Sequence, residues 1–234
     1  MSARRATFVV AVLALVSVAV VGCTGEGDEA AADPAALLAD AKTTLDGTSS
    51  VHFVLSSADV PDGVTALVGG EGDAARPDGF VGDLDVTIGG VAATVAVVST
   101  GGTLYAQLPF STGFTETDPS TIGISDPGTL LAADGGVTGL LAAATDPGLL
   151  DDIRIGETVV RQVEATLPAS AVADVLASAD DAGTFTAVFG IDPETSQLLR
   201  ATITGPFLAV DTPSTYTVDL SDYDVPVEIT APTG

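Results

Sequence analysis

Two side chains with the chemistry for catalysis or covalent modification, His52 and Cys23, each occur once in this sequence. His52 lies in the segment SVHFVLSS, whose alternation predicts a β-strand. A catalytic histidine needs a nucleophile and an orienting partner, and zinc needs three or four His, Cys or carboxylate ligands. We therefore interpret His52 as an ordinary strand side chain, and we predict no catalytic residue and no metal site.

Clustered carboxylates are the other candidates for chemistry. Three groups could supply a calcium site or a glycosidase pair: Asp151 with Asp152, Asp180 with Asp181, and Asp219 with Asp222 and Asp224. However, the sequence has no Asp-x-Asp-x-Asp-Gly loop with a distal glutamate. Most of these residues fall at the ends of predicted elements, where turns and caps account for them. The sequence also lacks a Gly-x-Ser-x-Gly elbow and a phosphate-binding Gly-x-x-x-x-Gly-Lys-[Ser/Thr] loop. We predict that the protein is not an enzyme and uses no cofactor, with calcium binding and glycosidase activity as alternatives.

Cys23 follows a segment that is typical of secretion. Two arginines near the N terminus precede the uncharged run Ala6–Val21, as in a secretory signal peptide. The run is shorter than the roughly 20 apolar residues of a spanning helix, so a retained transmembrane helix is the alternative. The segment Val20-Val21-Gly22-Cys23 resembles a bacterial lipobox, in which the cysteine thiol receives a diacylglycerol and becomes the first residue after cleavage. We predict a lipoprotein signal peptide over residues 1–22 and lipidation of Cys23, since two or more acyl chains anchor stably.

The composition predicts one strongly acidic folded domain. The chain has 32 acidic and 7 basic residues; removing residues 1–22 takes away two arginines and no acidic residue, which changes the net charge from −25 to −27. Such a surface repels nucleic acids and anionic headgroups, so attachment to the plasma membrane depends on the acyl anchor. We predict a lipidated cysteine with a flexible tether over residues 23–32 and one domain over residues 33–234. The many small apolar side chains of this domain are consistent with a tightly packed core. They are equally consistent with a core that leaves space for an apolar ligand.

The spacing of apolar residues predicts the order of elements. Asp33-Pro34 begins a helix that ends at Gly47. Residues 109–145 predict short helices and residues 168–179 another helix, while Gly-Gly pairs at 89–90 and 101–102 predict tight hairpins. Strands are predicted at Ser50–Ala58, Val64–Ala74, Phe80–Ile88, Val91–Thr100, Thr103–Leu108, Leu149–Ile155, Glu157–Leu167, Gly183–Ile191, Gln197–Thr204 and Pro213–Tyr223. The result is an α+β fold with one large antiparallel sheet and its helices on one side.

Several spaced segments resemble the LppX/LprA/LprF/LprG family of actinobacterial lipoproteins. They are VAVVSTGGTLYAQLPF, DGGVTGLLAAATD, TLPASAVADVL and STYTVDLSDYDVPVEI, and the resemblance covers Asp33 to Ile229. It implies a curved antiparallel sheet, or half-barrel, with helices on its concave face and a large apolar cavity between them. It also implies that the cavity holds the acyl chains of envelope lipids, glycolipids or lipoglycans. Members of the family are thought to carry such lipids from the inner membrane toward the outer envelope, some of them alongside a major-facilitator exporter.

The alternating apolar positions are our candidates for the wall of that cavity. They are Val95, Val97, Leu104, Ala106 and Leu108 from the first half of the sheet, Val163, Ala165, Phe185, Ala187 and Phe189 from the second half, and Leu130, Leu131, Leu140 and Leu141 from the helical insert. For each residue the alternative is plain core packing. For the protein as a whole the alternatives are a structural or adhesive envelope lipoprotein and a hydrolase acting on envelope glycans.

Overall fold

The computed structural model describes residues 32–122, 124–133, 135–176, 183–209 and 211–232. The predicted signal peptide, Cys23 and almost all of the tether lie outside the described residues, as do Asp180 and Asp181. Ala32–Gly234 forms one compact unit. Within the described residues, no helix combines the length and apolar character needed to cross a bilayer.

Helix α1 spans Pro34–Gly47, which confirms the predicted start and end. Oδ1 of Asp33 accepts a hydrogen bond from the backbone N–H of Ala35 at 3.0 Å. A proline in the first turn needs no donor there, so Asp33-Pro34 is a favourable start. The helix buries Leu38, Ala41 and Leu45.

Among the described residues, two further short helices and twelve strands follow. The strands are β1 Ser50–Ala58, β2 Ala66–Ala75, β3 Gly79–Ile88, β4 Val91–Thr100, β5 Thr103–Gln107, β6 Thr115–Glu116, β7 Thr145–Leu149, β8 Ile153–Ile155, β9 Thr158–Pro168, β10 Thr184–Ile191, β11 Leu198–Gly205 and β12 Ser214–Ser221. The helices are α2 Gly136–Ala143 and α3 Ala169–Ala173, and single 3-10 turns lie at Pro119–Ile122 and Pro127–Thr129.

The strands form one open antiparallel sheet, which confirms the predicted architecture. Their order is β6-β5-β4-β3-β2-β1-β12-β11-β10-β9-β7, and β8 also pairs with β9. The first and last strands of the chain meet near the middle of this order, where Phe53 lies opposite Leu220. The chain therefore forms two halves that join along β1 and β12.

The two Gly-Gly hairpins are confirmed. Gly89 and Gly90 have φ of 58° and 82°, and Gly101 and Gly102 have φ of 62° and 73°. Positive φ at both central residues defines the type I′ turn, whose twist matches that of the flanking strands.

One face of the sheet is apolar and carries the helices; we call it the inner face. On β1, Val51 and Phe53 are buried on this face, whereas His52 and Val54 point to the opposite, outer face. The inner-face side chains join those of the helices, such as Leu45 of α1, in a single core cluster. The helices therefore lie on one side of the sheet, as predicted.

The inner face contains a point where two backbones approach too closely for side chains. Gly72 of β2 lies opposite Gly82 of β3. A Cβ on Gly72 would lie 2.4 Å from the carbonyl oxygen of Val81, and one on Gly82 would lie 2.2 Å from that of Glu71. Glycine at both positions is a steric requirement of this strand pair.

Two predicted elements have the wrong bounds, and one short strand was not predicted. The strand predicted at Leu149–Ile155 is two short strands, because β7 ends at Leu149 and β8 begins at Ile153. β7 contains a proline and a register shift between Thr145 and Gly148, both tolerated at the edge of a sheet. Within the described part of the helix predicted over 168–179, only the five-residue α3 is helical, because Pro168 still belongs to β9 and is the N-cap; residues 177–179 lie outside the described residues. The edge strand β6 was not predicted, since two residues carry no periodicity.

Candidate functional site

An apolar pocket lies between the centre of the inner face and the short elements that cover it. Its volume is about 80 Å³. We call the covering side of the pocket the roof; its lining residues lie within 124–130, 136–140 and 174–176. Pockets that enclose small ligands usually measure roughly 300–1,000 Å³, so the pocket in this conformation is smaller than a carrier of whole acyl chains requires.

The sheet wall of the pocket comes from the strands around the junction of the two halves. It consists of Phe53 and Leu55 of β1, Leu67 of β2, Leu84 of β3, Ala201 and Ile203 of β11, and Tyr216 and Val218 of β12. Leu55 lies opposite Val218, and Val218 lies opposite Ala201. Directly opposed residues share a face, so the pairing of β1 with β12 brings side chains from both ends of the chain into one wall.

The roof is held to the sheet by a polar contact on β4. Oδ1 of Asp126 accepts hydrogen bonds from Oγ of Ser99 at 2.7 Å and from the backbone N–H of Gly128 at 2.9 Å. Ser99 is fully buried. Asp126 therefore caps the 3-10 turn at Pro127–Thr129 and at the same time attaches it to the strand.

The part of the roof that belongs to α2 is hydrogen-bonded to the segment that precedes this helix. The backbone N–H of Val137 donates to the carbonyl oxygen of Leu130 at 3.0 Å. Oγ1 of the buried Thr138 donates to the carbonyl oxygens of Ala132 and Gly135 at 2.7 and 3.0 Å. These bonds link the start of α2 to the segment before it.

One polar group of the sheet wall is used for structure rather than chemistry. The hydroxyl of Tyr216 donates to the carbonyl oxygen of Leu67 at 2.8 Å. Burial raises the pKa of the Tyr216 phenol. The phenol therefore stays neutral and acts as a hydrogen-bond donor.

The predicted cavity residues are distributed over the core. Leu130 and Leu140 line the pocket. The other predicted positions are buried in the core cluster, apart from Leu108, of which 40% is exposed: Val95, Val97, Leu104, Ala106, Leu131, Leu141, Val163, Ala165, Phe185, Ala187 and Phe189. As a set that contacts lipid, they remain a prediction. The alternation identified inward-facing side chains correctly but did not indicate which strands lie at the centre.

His52 lies on the side of the sheet away from the pocket. Its Nδ1 is 2.9 Å from Oδ1 of Asp73 on the neighbouring strand, and Ser221 lies opposite it on the other neighbour. In a catalytic triad the histidine also contacts the nucleophile, but here no His52–Ser221 hydrogen bond is present among the described residues. In the part of the chain that the structure describes, no three His, Cys, Asp or Glu side chains form a group that could hold a metal ion.

Comparisons with known proteins identify both sequence and structural relatives. The profile of the family described as "LppX_LprAFG lipoprotein" matches residues 33–229. A search of curated protein sequences finds no significant match.

Two solved structures share the fold. LprF from Mycobacterium bovis is 19% identical, with 86% of this chain and 97% of that chain covered and a TM-score of 0.73. Lipoprotein LppX from Mycobacterium tuberculosis is also 19% identical, with 85% of this chain and 100% of that chain covered and a TM-score of 0.58. At this identity the likeness concerns the fold.

Proposed function

This chain belongs to the LppX_LprAFG lipoprotein family, and from that premise we propose that it binds the acyl chains of lipids, glycolipids or lipoglycans and carries them across the cell envelope. The observation that supports this most directly is the apolar pocket at the centre of the inner face. Sheltering an acyl chain from water requires apolar area, at about 0.8 kcal/mol per buried methylene, and no catalytic group.

Binding a whole acyl chain requires the roof to move away from the sheet. The pocket of about 80 Å³ gives the starting point for that movement, because it already separates the roof from the sheet wall. The roof is built from short pieces: a 3-10 turn of three residues, the first part of α2 and the three residues that follow α3. Elements with few buried contacts open at lower free energy than the sheet does. We expect the roof to shift and the twelve strands to stay in place.

Attachment to the membrane is the second part of the proposal. Lipidation of Cys23 would fix the protein to the plasma membrane on its extracytoplasmic side, at the place where envelope lipids start. A major-facilitator exporter is the partner that family resemblance suggests. In an actinobacterial host supplied with a labelled fatty acid, the unsubstituted protein should become labelled and Cys23→Ser should not. Equal labelling of the two would mean that the acyl anchor lies elsewhere.

Native mass spectrometry tests the lipid-binding proposal. The chain from residue 24 onward, expressed in an actinobacterial host, should carry a bound species that organic solvent releases and whose mass identifies its lipid class. An unliganded mass that persists after diacylated and triacylated lipids are offered would contradict the proposal.

A structural or adhesive envelope lipoprotein is the second candidate function. The small volume of the pocket favours it, because such a protein needs no internal space. The same mass measurement separates the two, since only a carrier changes mass when lipids are offered.

A further inference from the structure

One continuous part of this acidic chain carries no charge. Between Asp85 and Glu116 the sequence contains no Asp, Glu, Lys or Arg, although the chain as a whole has 32 acidic and 7 basic residues. This segment forms the end of β3, all of β4 and β5, and the loop that follows β5. A surface that is desolvated on binding avoids charged groups, because removing them from water is costly.

The Gly89-Gly90 turn and the loop that follows β5 lie at the same end of the sheet. β4 runs away from the Gly89-Gly90 turn, and β5 returns beside it with Gln107 opposite Ala96. After Gln107 the chain therefore continues toward the end of the sheet where the Gly89-Gly90 turn lies. Val225, which follows β12, lies at the opposite end, because its neighbour Asp224 donates its N–H to the carbonyl oxygen of Ser50 at the start of β1.

Four apolar side chains are exposed at this uncharged end. Val91 is 68% exposed, Ile88 is 45% exposed, Leu108 is 40% exposed and Phe110 is fully exposed. We call these four residues the apolar tip. Ile88 lies directly opposite Val91 across the hairpin. By alternation both residues continue the inner face, beyond the part that is buried.

Phe110 occupies a position that normally belongs to glycine. The backbone N–H of Ser111 donates to the carbonyl oxygen of Leu108 at 3.0 Å, with Pro109 between them and φ of 70° at Phe110. This is the pattern of a type II turn, in which the third residue needs positive φ. The other described non-glycine residues with positive φ are four aspartates and one serine, and aspartate adopts positive φ more readily than phenylalanine does. A large aromatic side chain is thus held out into solvent by a backbone conformation that disfavours it, and such outliers point to function.

We propose that the apolar tip inserts into the interfacial region of an uncharged lipid bilayer and docks the folded domain on it. The occupant is a bilayer surface rather than a protein groove, because four apolar side chains on two separate turns offer area without directional polar contacts. The turn at Gly63 packs beside the tip, since its Cα lies 3.5 Å from the position of a Cβ on Gly90, and the residue before it in the chain is the acidic Asp62. The net charge of −27 after residue 22 disfavours anionic headgroups and leaves an uncharged bilayer surface as the target.

The tip is connected to the pocket along a single strand. Leu84 lines the pocket, Val86 is fully buried, and Ile88 belongs to the tip. These alternate residues of β3 share one face and span about 13 Å. A docked domain would place this row of apolar side chains between the bilayer and the pocket. Docking itself does not require an occupied pocket, so it goes beyond lipid binding and can be tested separately.

Binding to phosphatidylcholine vesicles tests the proposal without the acyl anchor. The chain from residue 24 onward is suitable, because Ala32–Gly234 is a compact unit that contains the whole sheet and its core. We expect the unsubstituted domain to float with the vesicles. Val91→Asp should reduce its partition about tenfold, because it replaces an inserted apolar side chain with a charge. Val225→Asp, at an exposed valine of the opposite end, is the matched control and should leave the partition unchanged.

Phe110→Gly separates docking from folding. Glycine accepts positive φ, so the variant should unfold at an unchanged or higher temperature, whereas its vesicle partition should fall about tenfold. A domain that does not float, or an equal loss in the Val225→Asp control, would overturn the proposal. So would an unchanged partition of Phe110→Gly.

Fluorescence gives an independent measurement of depth. The sequence contains no tryptophan, so Phe110→Trp and Val225→Trp each introduce a single reporter. Phosphatidylcholine with brominated acyl chains should quench the tip reporter and not the control reporter. Equal quenching of both, or of neither, would overturn the proposal. The mass measurement of bound lipid is unaffected by either result, so failure of docking and failure of lipid binding can be told apart.

Discussion

Tyr216 on β12 donates its phenolic hydrogen to the backbone carbonyl of Leu67 on β2, 2.8 Å away, and reaches across β1 to do so. The bond joins the last strand of the chain to the second. It also lies in the wall of the pocket, which both residues line. The junction of the two halves of the sheet and the candidate binding site are therefore the same place.

Loss of this bond should weaken the junction. Tyr216→Phe leaves a buried carbonyl oxygen without its partner, and we expect a loss of about 1–2 kcal/mol and a Tm lower by roughly 3–6 °C. Tyr105→Phe is the control, because no hydrogen bond from its hydroxyl is present among the described residues. Equal effects of the two substitutions in thermal unfolding would contradict the role of the bond.

Stability should also decrease in alkali. Burial raises the pKa of Tyr216 and of Tyr223, whose hydroxyl donates to the carbonyl oxygen of Leu198. In the unfolded chain a tyrosine ionises near pH 10. Above that pH the unfolded state has lost protons that the folded state still holds, so the free energy of unfolding falls as the pH rises. Unfolding by urea between pH 8 and 11 measures the slope, and Tyr216→Phe should reduce it.

Filling the pocket should separate stability from lipid binding. Ala201 lines the pocket, so Ala201→Leu should stabilise the fold by up to about 1 kcal/mol and weaken the binding of a fluorescent fatty acid. Ala187 is buried on the same face but is not a lining residue. Ala187→Leu should overpack the core and cost about 1–3 kcal/mol. If Ala201→Leu binds the fatty acid like the unsubstituted protein, the pocket is not where acyl chains enter.

Release of the roof should accelerate uptake. Asp126→Ala removes the acceptor shared by Ser99 and Gly128. We expect faster hydrogen exchange in residues 124–130 and faster uptake of the fatty acid, because the roof loses its attachment to β4. Asp118→Ala is the matched control: Asp118 caps the neighbouring 3-10 turn through Ser120 but does not line the pocket. Equal acceleration by the control would mean that general loosening, and not the roof, controls entry.

The close approach of β2 and β3 gives a prediction about stability. Gly72→Ala would place its Cβ 2.4 Å from a backbone oxygen, which side-chain movement cannot relieve, and should cost at least about 3 kcal/mol. Gly139, within α2, has nothing within 4 Å of an added Cβ. Gly139→Ala should therefore gain about 0.5–1 kcal/mol. Chemical denaturation of both variants gives the comparison, and a tolerated Gly72→Ala would show that the two strands can separate.

The sequence predicted that the candidate site is lined by apolar side chains, but not which strands supply them. The sequence indicated apolar side chains that face inward, and Leu130 and Leu140 do line the pocket. The wall residues Phe53 and Val218 were missed, although both alternate correctly within predicted strands. Nothing in either segment indicates that β1 pairs with β12, because the two are separated by most of the chain.

The sequence by itself determined the features that depend on neighbouring residues: the start of α1 at Asp33-Pro34, the two Gly-Gly hairpins and the alternation that assigns side chains to faces. Each rests on local backbone preferences, which act over a few residues. The prediction for Cys23 rests on its local motif in the same way. Only the tertiary structure decided that the ends of the chain meet at the centre of the sheet, and that the pocket and its roof form there. Those contacts join residues far apart in sequence, and their free energy comes from burial that exists only once both halves have folded together.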